Sequence, residues 1–201
     1  MRGVSRSNHD PALQGDVHFV TGSGFLAGLF TSSVEFAPGE KRNAELSGFV
    51  GFAWEGQSPW RSRAVATHYA YPWNRAGSKY DYDEFNVDVG YSNWVTLTAL
   101  YSPNAPLYVQ YRGLTAVAAR SAELNFQLPL LRKLNANAGA GFAHLGGPDG
   151  GGYYYWSLGC TYDLAPVTLS VAYVNTSYGA TDLYYEAAAR NHWTATAIWR
   201  F

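Results

Sequence analysis

Apolar and polar side chains alternate along most of this chain. In NAELSGFVGFAW, Ala44, Leu46, Gly48, Val50, Phe52 and Trp54 fall on one side of an extended backbone, with Glu45 and Ser47 on the other. EFNVDVGY sorts Phe85, Val87, Val89 and Tyr91 against Glu84, Asn86 and Asp88. SAELNFQLPL sets Ala122, Leu124, Phe126, Leu128 and Leu130 against Glu123, Asn125 and Gln127. LNANAGAGF, WVTLTALY, YYYWSLGCTY and VTLSVAY follow the same rule, as does PALQGDVHF, with Leu13, Val17 and Phe19 opposite Gln14, Asp16 and His18. The chain ends on WTATAIWRF, whose Trp193, Ala195, Ala197, Trp199 and Phe201 share a face. Segments of about ten residues with period two predict strands that are apolar on one side and polar on the other.

Two segments have a less clear phase. FLAGLFTSSVEF is apolar in both, and the reading adopted turns Val34 and Phe36 outward and Thr31, Ser33 and Glu35 inward. In WRSRAVATHYAY, inward Arg61 and Arg63 send His68 outward, which a β-bulge would relieve.

The breaks separate a membrane barrel from a β-sandwich. Tight ones at 21–24, 56–59, 92–93, 131–133 and 165–166 alternate with longer ones at 7–11, 37–42, about 72–82, 103–120, 146–152 and 176–191. Short turns at one end and long loops at the other are the pattern of transmembrane barrels, with the short turns periplasmic. The expectation is an all-β, antiparallel, up-and-down transmembrane barrel of twelve strands, one domain over 1–201, with both termini on the short-turn side. Trp54, Trp60, Tyr91, Trp94, Tyr162, Trp199 and Phe201 would form one aromatic girdle, and Phe36, Tyr71, Trp73, Tyr101, Tyr173 and Trp193 the other.

Composition sharpens this picture. Only 14% of residues are charged, against about a quarter in soluble domains. No apolar run reaches the roughly 18 residues of a membrane helix. A net charge of −1 argues against a nucleic-acid partner. The lone Cys160 has no intrachain disulfide partner, and MRGVSRSNHD lacks the apolar core of a signal peptide, so a signal was removed or the sequence starts inside the mature protein.

Strand phase then places the charges. Arg2, Arg6, Asp16, Glu35, Glu45, Arg61, Arg63, Glu84, Asp88, Glu123 and Arg200 are expected to line the lumen, because lipid exposure would cost each of them several kcal/mol near the midplane. Glu35, Glu45, Glu84 and Glu123 fall near the long loops and Arg61, Arg63 and Arg200 near the short turns. Such rings select ions in a pore. The competing reading is an interior salt-bridge network that fills a small barrel and conducts nothing.

Chemistry-bearing residues do not assemble into an enzyme on paper. His68, His144 and His192 have serines nearby, but no spacing selects a nucleophile and base, which leaves a rim-active hydrolase as a third reading. Asp81 and Asp83 read as solvated loop acids, bridged to lipopolysaccharide by divalent cations. GGPDGGG reads as a flexible loop without the calcium-binding repeat, and no zinc spacing occurs. Neither a catalytic residue, a metal site nor a cofactor is expected.

The stretch from RGVSRSNHDPALQGDVHF through GSGFLAGLFTSSVEF resembles the TorF family of outer-membrane porins. Arg2, Gly3, Ser5, Pro11, Ala12, Leu13, Gln14, Gly15, Gly24, Phe25, Ala27 and Gly28 carry the match, with weaker echoes at Tyr71-Pro72, Tyr101-Ser102-Pro103 and the LPL at 128–130. The family pattern has an aromatic stretch before Arg-Gly where Met1 stands here, so the first strand is expected to be truncated. The resemblance implies a Gram-negative outer-membrane porin for small polar solutes or ions, set in outer-membrane lipid and lipopolysaccharide. It brings no catalytic residues. The C-terminal strand ending in Trp199 and Phe201 resembles the signal read by the barrel assembly machinery. The alternative is a non-conducting structural or adhesive barrel whose loops bind partners.

Overall fold

The alternating segments all become strands. The computed structural model describes residues 2–7, 9–35, 43–56, 58–73, 80–109, 113–184 and 186–201. Among these are β1 (Gln14–Val20), β2 (Phe25–Val34), β3 (Asn43–Glu55), β4 (Trp60–Ala70), β5 (Tyr82–Tyr91), β6 (Val95–Val109), β7 (Gly113–Leu131), β8 (Leu134–Leu145), β9 (Gly151–Asp163), β10 (Val167–Thr176) and β11 (His192–Trp199). Two short helices, α1 (Gly179–Leu183) and α2 (Glu186–Ala189), lie between the last two strands. Each strand pairs antiparallel with the next in one sheet ordered β1 to β11, an all-β up-and-down meander. None of the described helices is long and apolar enough to cross a membrane.

Register gives the sheet two chemically distinct faces. Val50 lies between Ala27 and Ala66, Val87 between Ala64 and Ala99, and Leu124 between Leu97 and Ala140. These residues belong to an exposed apolar surface that also carries Leu29, Leu158 and Val171. On the opposite face Glu45 pairs Ser32, Glu84 pairs Thr67, Asp88 pairs Arg63 and Thr98, and Thr98 pairs Glu123. One turn needs glycine: Gly24 has φ +95°, and a Cβ there would sit 2.1 Å from the Ala53 carbonyl oxygen.

The polar face is the inside of a curl. Arg2 bonds Glu84 of β5, while a Cβ on its neighbour Gly3 would lie 2.6 Å from Thr176 of β10 and 2.7 Å from Tyr155 of β9. In a flat sheet β5 and β10 stand five spacings apart, roughly 24 Å. One peptide and one side chain bridge them only if the sheet wraps around. The His9 and His192 rings lie 4.6 Å apart, bringing the segment ahead of β1 to the start of β11 at the long-loop end.

Several expectations change. The described strands number eleven, not twelve, because residues 2–7 form no strand and instead enter the curl at the long-loop end. The N-terminal segment is therefore on the loop side, not with the short turns. The stretch 103–120 is not an open loop: β6 and β7 continue as a ribbon paired out to Val109 and Gly113. Beyond Tyr101 the β5–β6 ladder has ended, so Pro103 and Pro106 sit where β6 has an open edge, the position a strand tolerates proline. β2 takes the phase opposite to that expected, with Val34 buried inside and Leu29 exposed outside. Thr31 and Ser33 share the Leu29 face, opposite to the inward placement read for them. β4 needs no bulge: its ladders to β3 and β5 are unbroken, and outward His68 bonds outward Asp83 at 2.8 Å. Tyr71 is buried inside and leaves the outer girdle, whereas Trp73, Tyr101 and Trp193 stay exposed. Phe36 lies outside the described residues.

Candidate functional site: the interior of the curled sheet

At the long-loop end the interior carries a packed apolar cluster. Val4 packs with Leu107, Ala119, Leu145, Tyr153, Tyr155 and, from the helices, Ala180, Leu183 and Ala189. The helical segment is held by the Ser5 amide donating to the Ala188 carbonyl (2.9 Å) and by Thr176 Oγ1 donating to the Ala189 carbonyl. Beside this apolar cluster, Arg6 donates to Glu45 Oε2 and to the hydroxyls of Tyr71 and Tyr82. Its guanidinium carbon lies 5.8 Å from the centroid of the Tyr69 ring and 5.6 Å from that of Tyr82, and the two rings are stacked at 4.5 Å. Tyr71 OH donates to Glu45 Oε2 at 2.6 Å. Arg2 donates to Glu84 Oε1.

The physical consequence is local neutrality. Glu45 and Glu84 are 1% and 2% exposed, and buried carboxylates persist only when paired. Burial pulls the Arg6 guanidinium down, but the Tyr82, Tyr71 and Glu45 oxygens outweigh this and hold it well above its usual range. Burial also pushes the Tyr71 phenol up, so it stays protonated and donates to Glu45. Glu45 and Glu84 thus form no acidic ring of open charge, which corrects the acidic outer section expected from sequence. Glu123, deeper in, accepts instead from Tyr155 OH and Asn125 Nδ2, both at 2.7 Å.

Towards the short turns the interior opens. A cavity of about 1120 Å³ is bordered by Asp16, His18, Leu26, Phe49, Arg61 and Arg63. Arg63 donates through Nε and Nη2 to Asp88 Oδ2 at 2.9 and 2.7 Å, and Thr98 Oγ1 donates to Asp88 Oδ1 at 2.6 Å. Arg61 donates to Asn93 Oδ1 (2.8 Å), and Arg200 to Thr168 Oγ1 (3.0 Å). Asp16 Oδ1 and His18 Nδ1 are 2.5 Å apart. The sheet register thus sets Asp16, Glu45, Arg61, Arg63, Glu84, Asp88 and Glu123 on the inner face, and Arg200 reaches an inner-face threonine. Arg2 and Arg6 enter the interior from the N-terminal segment. Glu35 follows β2, its amide donating to the Arg6 carbonyl at 2.9 Å, and the phase that was to point it inward is not the one β2 adopts. Trp199 and Phe201 are exposed, their rings 6.4 Å apart.

Sequence reading missed the tyrosine cradle around Arg6 and the helices of the last loop. The cradle joins residues up to 76 positions apart, which no local period reveals. The helices had a signal: EAAA at 186–189 is rich in strong helix formers. No group of three or more metal-ligating side chains occurs among the described residues.

Comparison with a solved NanC porin, crystallised in a rhombohedral form, gives a TM-score of 0.66 at 8% identity, over 94% of this chain and 93% of that one. At that identity the likeness is one of fold alone, an antiparallel β-meander shared over nearly the whole of both chains. No curated protein matches in sequence. The model of a bacterial family of unknown function, Gcw_chp, matches residues 1–201, and the chain belongs to that family.

Proposed function

We propose that this protein is a porin-like channel of the Gram-negative outer membrane, passing small polar solutes or ions by passive diffusion. The observation that carries the reading is the two-faced sheet: an exposed apolar exterior with aromatic ends, around an interior lined by Asp16, Arg61, Arg63, Asp88, Glu123 and Arg200. Such a sheet suits lipid outside and water inside. The porin fold of the NanC neighbour and the TorF-like opening support the same reading. In this account the short turns face the periplasm, Trp199 and Phe201 present the closing strand to the assembly machinery, and no enzymatic step is involved.

A second reading has its own observation. The Arg2–Glu84 and Arg6–Glu45 pairs and the apolar cluster around Val4 occupy the loop-side mouth, as in a structural barrel that conducts nothing. Proteoliposome swelling separates the two. A channel gives swelling rates that fall as the neutral sugar offered grows from a pentose to a disaccharide. A filled barrel gives the rate of protein-free liposomes for all of them.

A further inference from the structure

The outer wall carries an open positive charge at its loop end. Among the described strand residues, arginine or lysine occurs only at Arg61, Arg63 and Arg120. The first two point inward. Arg120 lies on the outer face, in register between Tyr101 of β6 and His144 of β8. It is exposed, and among the described residues it makes neither an ion pair nor a hydrogen bond. Below it on β7, Ala122, Leu124, Phe126, Leu128 and Leu130 continue the same face to the tight turn, all of them exposed. A strand from Arg120 to Leu130, at about 3.4 Å per residue and a tilt of about 40°, covers roughly 26 Å of height, close to the apolar band of about 25 Å in outer-membrane barrels. Arg120 therefore stands at the upper border of such a band, where a lipid-facing arginine costs far less than at the midplane. His68 and Asp83 take the loop end of the same face on β4 and β5, but they bond each other at 2.8 Å, and Asn104 also donates to Asp83 at 3.0 Å. Arg120 has no such partner among the described residues.

We propose that Arg120 and His144 form a phosphate-binding site on the outer wall, and that its occupant is the phosphorylated sugar headgroup of lipopolysaccharide. Charge selects the phosphate: a guanidinium grips a phosphate through two parallel hydrogen bonds, and this one has both to give. His144 adds a second polar group. Its Nδ1 donates to the Gly151 carbonyl at 3.0 Å, which leaves Nε2 for a ligand. Beside it, Gly152 has no side chain and the Phe142 ring takes that space, since a Cβ on Gly152 would lie 2.6 Å from Phe142 Cζ. Phe142 in turn meets Tyr154 at 4.9 Å between ring centroids, so the cation is flanked by aromatic surface of the kind that settles at headgroup level. The apolar wall directly below, with Ala99, Ala122 and Leu124, selects a lipid over a soluble phosphate, because acyl chains hanging from the headgroup lie against it. The loop end is the outer-leaflet side in the proposed orientation, which selects lipopolysaccharide over phospholipid. The proposal rests on the membrane barrel and the orientation of the proposed function, and not on conduction.

Lipid binding to the barrel folded in detergent tests it, read by native mass spectrometry and by thermal shift. The probes are diphosphoryl lipid A, the same lipid with both phosphates removed, phosphatidylglycerol and inorganic phosphate. The wild type should retain diphosphoryl lipid A, and Arg120→Gln should weaken that binding about tenfold or more, as loss of a charge-assisted hydrogen bond does. Arg120→Lys should keep most of the affinity, His144→Phe should lose less than Arg120→Gln, and Arg132→Gln, at the opposite end, should match the wild type. Equal retention by the wild type and Arg120→Gln would overturn the proposal. So would a dephosphorylated lipid that the wild type holds as tightly as the phosphorylated one, a comparison that needs no variant to fold. Phosphatidylglycerol held as tightly as lipid A would overturn the assignment to lipopolysaccharide, and inorganic phosphate that stabilises the barrel as much as lipid A would overturn the assignment to a lipid. None of these readouts involves swelling or conductance, so the site and the channel reading fail separately.

Discussion

At the scale of single residues, the strongest commitments lie at the loop-side mouth. Glu45 is nearly unexposed, so Arg6→Ala strands a buried carboxylate and should destabilise the barrel by about 3 kcal/mol. The Arg6 side chain is 32% exposed, and water offsets part of that loss. Combining Arg6→Ala with Glu45→Gln removes the charge along with its partner. The double variant should therefore be more stable than Arg6→Ala alone, measured by urea titration of the heat-modifiable band. Equal or lower stability of the double variant would mean that the pair is not coupled. None of this was legible in the sequence. Arg6 and Tyr82 stand 76 positions apart and meet only because the sheet curls. The inward phase of Glu45 and Glu84 was legible, because each alternates with unmistakably apolar neighbours such as Leu46 and Phe85.

Element by element, legibility follows the contrast between faces. β3, β5 and β7 alternate cleanly, and their registers agree with their patterns. β2 does not, because FLAGLF is apolar at consecutive positions and both phases satisfy the period. The ribbon at 103–120 was hidden by Pro103 and Pro106, which read as breakers until the open edge of β6 is seen. Two predictions belong here. With Cys160→Ser, a membrane-impermeant maleimide added to whole cells should label Asp149→Cys on the connection between β8 and β9 and spare Arg132→Cys on the tight turn after β7. The reverse pattern would invert the orientation. Deleting Phe201 should cut the amount of assembled, heat-modifiable protein, because the exposed terminal aromatic is lost from the interfacial end of β11. Normal assembly of the deletion variant would leave Phe201 without that role.

For the whole molecule, the proposed channel requires one surface to meet lipid and the other to meet whatever passes through. The exterior was readable from alternation alone. The state of the interior was not, since filling depends on how residues 2–7 and the two helices fold back into the curl. That infolding brings a packed cluster into the loop-side mouth, with the 1120 Å³ cavity lying towards the short turns. The most direct measurement of the channel claim is single-channel recording of the purified, folded protein in planar bilayers. The account predicts discrete, small conductance steps that grow when Arg2→Ala and Glu84→Gln are introduced together, because that pair helps hold the N-terminal segment in the mouth. Folded wild-type protein and the double variant that both insert, yet hold the current at the bare-membrane baseline, would contradict it.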